Sequence, residues 1–209
     1  MAITLPPLPR PWRASPTLVD FGADLTPPLG GPIQRVTRLG SRFKLTLDPA
    51  DYGLITKTYA SNLLAALLKA RATGQTVILP FPQMGASRAN DVAPANALTP
   101  LVDGAGQSGT VLNVRGLAVG AQLLAGQFGS VTVSGRSYLY VLTDSVTANA
   151  LGKAALNIAP MLRASPADGA AMSFASPQIE GWLSGMEQSW SVERLMLGLQ
   201  VPISIMEAD

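Results

Sequence analysis

The end of the chain constrains the fold most tightly. Leu195, Leu197, Leu199, Val201, Ile203 and Ile205 are apolar at a strict period of two, while Met196, Gly198, Gln200, Pro202, Ser204 and Met206 occupy the other face. That period belongs to a β-strand with one buried face, and such a strand needs a sheet to join. Pro202 has no amide to give a ladder, so a bend, bulge or edge is expected there. Trp190 and Val192 continue the even-numbered phase upstream, which puts a register break near Glu193-Arg194.

The opening sixteen residues, M-A-I-T-L-P-P-L-P-R-P-W-R-A-S-P, form a proline-rich arm that is expected to be extended and irregular. Trp12 either packs on the arm's own domain or reaches a neighbouring subunit. Thr17 to Phe21 reads as a short strand, and Asp24 to Pro32 as a turn-rich loop. Ile33–Leu39 and Arg42–Leu47 read as a strand pair joined at Gly40-Ser41, with Phe43, Leu45 and Leu47 alternating against Arg42, Lys44 and Thr46.

The spacing predicts one long helix, about 49–73. Asp48 suits the N-cap, Pro49 the first helical position and Asp51 the first turn. Ile55, Tyr59, Leu63 and Leu67, widened by Leu64 and Leu68, make one apolar face. Gly74 is placed to stop the helix. Thr76 to Phe81 reads as a buried strand that ends, or lies at an edge, at Pro80.

Residues 82–109 are rich in Pro, Gly, Ala, Ser and Asn, too long for a structureless loop within one domain, so a domain junction is expected in them. Six short strands follow: Thr110–Val114, Gln127–Val133, Ser137–Leu142, Ala154–Ile158, Ala170–Phe174 and Gln178–Leu183. Ser134-Gly135, Leu151-Gly152 and Asp168-Gly169 punctuate them. Strands without a helix suggest a small barrel or sandwich. The fold class is therefore mainly β with one long α-helix. Residues 1–95 plus 184–209 form a β-rich domain (sandwich or split barrel plus helix), and 96–183 an inserted β-barrel module. The final strand extending the second module is the other arrangement.

Composition narrows the function. Only 13% of the 209 residues are charged and 47% are apolar, against about 25% charged in an ordinary soluble domain. A chain this poor in charge is expected to cover much of its surface with other chains. A membrane explains the apolarity less well. A spanning helix needs about 20 apolar residues, and the strongest run, Asn62 to Ala72, is interrupted by Lys69 and Arg71. Met1 to Arg13 is broken by four prolines and carries no apolar signal core. A soluble chain without a membrane anchor, assembled in the cytoplasm of its producing cell, is expected.

The chain has no cysteine and no histidine. Disulfides, thiolate nucleophiles, Cys-based zinc sites and His-dependent triads are thereby excluded. The net charge of +2 is spread along the chain, without the basic stripe of a nucleic-acid-binding domain. G-A-G-Q-S-G at Gly104–Gly109 lacks the Lys-Ser/Thr ending of a phosphate loop and reads as a turn. Asp20, Asp24, Asp103, Asp144, Asp168, Glu180 and Glu187 fall in no carboxylate motif for glycoside hydrolysis or calcium binding. No catalytic, cofactor or metal residue is assigned, and no enzyme activity is expected. Tyr138, Tyr140, Trp182 and Trp190 could line a sugar-binding face, although packing is the commoner fate of aromatics at strand spacing.

Two stretches carry a resemblance. P-T-L-V-D-F-G-A-D-L-T-P-P-L-G-G-P-I-Q-R-V-T-R-L-G-S-R-F (Pro16 to Phe43) and Y-L-Y-V-L-T-D-S-V-T-A-N-A-L-G-K-A-A-L-N-I-A-P-M-L-R-A-S-P-A-D-G-A (Tyr138 to Ala170) resemble the distal tail proteins of long-tailed bacteriophages. The resemblance spans most of the chain and rests on no active-site string. It implies a structural protein of the virion tail tip: a homohexameric ring, with a small OB-like barrel in some members. Its implied partners are its own copies, the tail tube protein, the hub protein and the tape-measure protein, with DNA only passing through the channel. Trp12, Arg13, Trp190, Leu195, Leu197 and Leu199 are the candidate inter-subunit contacts, because the arm and the terminal strand are the elements expected to meet a neighbour. A carbohydrate-binding baseplate module contacting host glycans is the alternative reading, and a carboxylate-only glycoside hydrolase a third.

Overall fold

The computed structural model describes residues 2–6, 12–49, 57–81, 99–188, 191–192, 199–200 and 202–208. Among the described residues the chain is mainly β with one helix, and it contains a nearly closed, barrel-like sheet of six strands. The elements begin with β1 (Ile3–Thr4), β2 (Trp12–Val19), β3 (Ala23–Leu25), β4 (Gln34–Val36), β5 (Arg42–Pro49), α1 (Lys57–Thr73) and β6 (Val77–Pro80). Then come β7 (Leu101–Val102), β8 (Gly109–Arg115), β9 (Gln122–Leu123), β10 (Phe128–Val133), β11 (Arg136–Leu142), β12 (Val146–Thr147), β13 (Ala154–Leu162) and β14 (Met172–Ser173). The chain ends with β15 (Gln178–Leu183), β16 (Ser191–Val192), β17 (Leu199–Gln200) and β18 (Ile203–Glu207). Two compact units result: residues 1–17, 43–82 and 176–208 form one, and 18–42 with 83–175 the other.

The first unit is built on a six-stranded sheet in the order β1-β6-β15-β18-β5-β2. The period-two pattern of β5 determines its place: Phe43, Leu45 and Leu47 are buried, and Leu45 and Leu47 lie opposite the equally buried Ile205 and Ile203 of β18. Burying one such side chain contributes about 1.5–3 kcal/mol. The alternation of β18 runs on to Glu207, which is 0% exposed and accepts the Phe43 amide hydrogen at 3.0 Å. β15 continues the sheet through Ile179, opposite Leu79 of β6. Helix α1 buries Ala60, Leu63, Leu67 and Ala70. It ends as Gly74 takes φ +58°, with Gln75 N–H donating to Ala70 O at 2.9 Å and Gly74 N–H to Arg71 O at 3.3 Å. That double bond pattern is a Schellman stop.

The second unit's sheet has the order β14-β10-β11-β13-β8-β7. Its ends meet through a bridge between Leu101 and Ala171, with Val102 N–H on Ala170 O and Met172 N–H on Pro100 O, both at 2.9 Å. Closure removes the free edges that would otherwise pair with other chains. The β10–β11 hairpin turns at Ser134 (φ 50°) and Gly135 (φ +79°), the two left-handed positions of a type I′ turn. Val102, Leu112, Val114, Leu123, Val131, Tyr140, Leu142, Leu156 and Phe174 fill the interior.

Several sequence expectations are corrected. Residues 12–16 are not irregular but belong to β2, an edge strand, where a proline such as Pro16 is tolerated. Ile33–Leu39 does not pair with Arg42–Leu47: β4 pairs with β3, because residues 34–39 are all exposed and have no core face to offer. Asp48 and Pro49 close β5, so Asp48 is not the helix N-cap; Asp51 and Ile55 lie outside the described residues. Leu68 is exposed rather than part of the helix's buried face. The terminal run is not one strand: it breaks at Pro202, and β17 pairs back on β16 while β18 joins the main sheet. Gln178–Leu183 lies between β6 and β18 in the first sheet, not in the barrel, so residues 176–183 leave the 96–183 module and 18–42 group with it. Among the described residues, no helix is long and apolar enough to cross a membrane.

Candidate inter-subunit surface

Residues 18–42 contain a two-stranded ribbon. β3 and β4 pair through Ala23–Val36, Asp24–Arg35 and Leu25–Gln34. Between them, Pro28 and Leu29 occupy a turn closed by Gly30 N–H on Pro27 O at 3.3 Å, and Gly30 has φ +75°. Pro28, at the second position of that turn, has its φ preset for it. Residues 34–36 are exposed on both faces of the ribbon. Of the fourteen exposed large hydrophobic side chains among the described residues, seven lie here: Leu18, Phe21, Leu25, Leu29, Ile33, Val36 and Leu39. Leu29, at the turn, is 97% exposed. A two-stranded hairpin alone is marginal in water, and this concentration of exposed apolar side chains makes the segment the candidate interaction surface.

Asp20 organises the ribbon's base. Its carboxylate accepts the Gly22 amide hydrogen at 2.9 Å and the Ser41 hydroxyl at 2.7 Å, and it pairs with the Arg35 guanidinium. Arg35 also reaches Asp24 at 3.6 Å. The Gly22 amide first, then Ser41 and Arg35, lower the Asp20 carboxyl to about 2. Beside it, the Arg42 guanidinium lies 5.1 Å from the centre of the Phe21 ring. The group is exposed, so its value is orientation more than stability.

Because the folded pKa of Asp20 is depressed, its contribution to the ribbon is complete above the ordinary carboxylate value of 3.8 and is lost as pH falls through about 2. The expected result is an Asp20 carboxyl titration near 2 by NMR, with Gly22 amide exchange accelerating over that same window. Arg35→Gln should move the midpoint upward, while a midpoint at the ordinary value in the unaltered chain would refute the geometry.

Exposed large apolar side chains also occur singly in the first unit. Arg71 of α1 donates to Gly185 O at 2.7 Å, Glu187 O at 2.9 Å and Ser184 O at 3.2 Å, tying the segment after β15 to the helix. Leu68, one helical turn before Arg71, is exposed with Trp182 and Met186, the last at 97%.

The sequence-derived contact residues are distributed otherwise. Trp12 and Arg13 are neighbours on β2, where Arg13 is exposed. Leu199 lies on β17, and Trp190, Leu195 and Leu197 fall outside the described residues. The ribbon's apolar residues escaped sequence reading because they follow no period. The T-P-P-L-G-G-P turn, with apolar residues on either side, was their signal.

The remaining charged cluster is on the barrel. Asp103 contacts Lys153 at 2.8 Å and Arg115 at 3.2 Å, and Arg115 contacts Asp168 at 2.9 Å. Lys153 chiefly lowers the Asp103 carboxyl, and the Gly104 amide chiefly lowers that of Asp168. These groups satisfy one another and fasten loops to β8 and β13. Among the described residues, no group of three or more His, Cys, Asp or Glu side chains is placed to hold a metal ion.

No protein-family model matches the chain, and comparison with curated proteins likewise gives no match.

Proposed function

We propose that the chain is a structural, self-assembling protein of a phage tail tip. It forms a ring, hexameric by its resemblance to distal tail proteins, which joins the tail tube to the hub and leaves a channel for DNA. In this reading the first unit is the ring-forming domain and the barrel is the OB-like accessory module, with six strands where an OB-fold has five. The observation that carries the reading is the ribbon segment: in a charge-poor chain, seven of the fourteen exposed large hydrophobic side chains among the described residues lie between Leu18 and Leu39. The chemistry is mechanical, and no residue is assigned a catalytic role.

The glycan-binding reading draws less support. Tyr138 and Tyr140 are buried in the barrel rather than aligned on its surface, and Trp182 belongs to the other sheet.

Negative-stain microscopy and mass photometry of the full chain at micromolar concentration test the proposal. Closed rings, or rings formed on addition of purified tail tube protein, are the expected result. A particle that stays solitary and does not bind the tube protein would overturn it.

A further inference from the structure

We propose that the face of the first unit's main sheet turned away from its core is a shallow carbohydrate-binding platform built on Trp182. A platform of this kind is independent of the assembly proposed above. It needs one exposed indole, not an aligned row of aromatics.

Strand register defines the surface. Side chains alternate along each strand, and directly opposed cross-strand partners share a face. Leu45, Leu47, Ile179, Ile203 and Ile205 are buried and make the core face. The residues between them point to the other side. There Lys44 of β5, Met206 of β18 and Trp182 of β15 are partners across three adjacent strands. With neighbouring strands about 4.8 Å apart, that row is about 10 Å long. Thr46 and Ser204 pair in the next row, their hydroxyl oxygens 3.3 Å apart. Trp182 is 45% exposed, while Lys44, Thr46, Ser204 and Met206 are half-buried.

The chemistry of this face selects the ligand. Tryptophan is highly buried on average, so a half-exposed indole at strand spacing is the informative feature. Its ring is a flat apolar surface, and the hydroxyl pair and the Lys44 ammonium beside it exchange hydrogen bonds. A pyranose is complementary: its C–H groups make one face apolar, and its hydroxyls surround that face. Charge and solvation disfavour two other occupants. On β5, β6, β15 and β18 this face carries Arg42 and Lys44 against Asp48 and Glu180, so cations and acids balance. A nucleic-acid strand would stack on the indole but requires an excess of cations. An apolar protein surface would cut the Lys44 ammonium off from water. A neutral polyol meets neither penalty. A flat face covers less of its ligand than a cleft does, so the expected Kd is about 1 mM.

Saturation-transfer difference NMR on the full chain tests the platform, since the method detects weak ligands of large particles. The probes are cellotetraose, chitotetraose and tetragalacturonate at millimolar concentration. The expected result is saturation transfer to the ring C–H protons of at least one probe. Binding should weaken at least about tenfold in Trp182→Ala and be largely retained in Trp182→Tyr, which keeps an aromatic face. Trp182 is exposed, so both variants should keep the parent's circular dichroism and sedimentation. No transfer to any of the three probes, or transfer that survives Trp182→Ala, would overturn the platform and leave the assembly proposal intact. Loss of self-association in Trp182→Ala would make this face a subunit contact and overturn the platform as well.

Discussion

Replacing Gly181 with alanine is expected to unfold the first unit or to lower its stability by about 3 kcal/mol. Gly181 lies on β15 between Val77 of β6 and Glu207 of β18. A Cβ at this position would stand 2.0 Å from Met206 O, 2.6 Å from Met206 C and 2.8 Å from Glu207 Cα. All three obstacles are backbone, so no side chain can turn away to make room. β15 and β18 would have to separate, weakening the ladder and the bond from Ala208 N–H to Glu180 O at 3.0 Å. A domain has only about 5–15 kcal/mol in total, so the loss is a large share. The measurement is convenient, because Trp12 and Trp182 belong to the first unit and residues 18–42 and 83–175 contain no tryptophan. Urea unfolding followed by tryptophan fluorescence should show a much lower midpoint. An unaltered midpoint would mean that β15 and β18 do not pair in this register.

Gly152→Ala should strike the barrel comparably. Gly152 has φ +67°, and its added Cβ would lie 2.3 Å from Leu117 O. The same two residues are joined by Leu117 N–H on Gly152 O at 3.0 Å, so the loops cannot part without losing that bond. The left-handed backbone costs about 1–2 kcal/mol for any residue with a Cβ, and the clash adds to it. The expected total is about 2–4 kcal/mol. Far-UV circular dichroism should report an early transition while the tryptophan signal keeps its midpoint, since two units need not unfold as one two-state system. A barrel transition at the parent's position would sink this argument.

Much of the fold could be read from local pattern. The alternation of Phe43, Leu45 and Leu47, the stop at Gly74 and the Ser134-Gly135 turn are local features, and each sits where the pattern put it. What escaped is the non-local part. Gln178–Leu183 has the same short-strand look as its barrel neighbours, and nothing within those six residues says that they pair with Val77–Pro80 instead. Glu207 is an acid that ordinary expectation places in water. Its burial depends on the Phe43 amide, 164 positions away in the chain. The Asp48-Pro49 pair looked like a helix entrance because its residue types fit one, but the strand before it runs through both. The candidate interface was legible only as a need, from the shortage of charge. Aromatic and alternating residues point to the arm and the terminal strand, whereas the ribbon is aperiodic and carries no such signal.

The main sheet of the first unit is interrupted in sequence by the whole barrel: β1, β2, β5 and β6 precede it, while β15 and β18 follow. During synthesis, at about 5–20 residues per second, the early strands emerge with the two central ones still unmade. The barrel's strands, from Leu101 to Ser173, are consecutive and can close as soon as they leave the ribosome. The order of maturation therefore reverses the order of emergence: the spliced-in module can be finished first, while the early strands of its host wait, edges open, for β15 and β18 to be made.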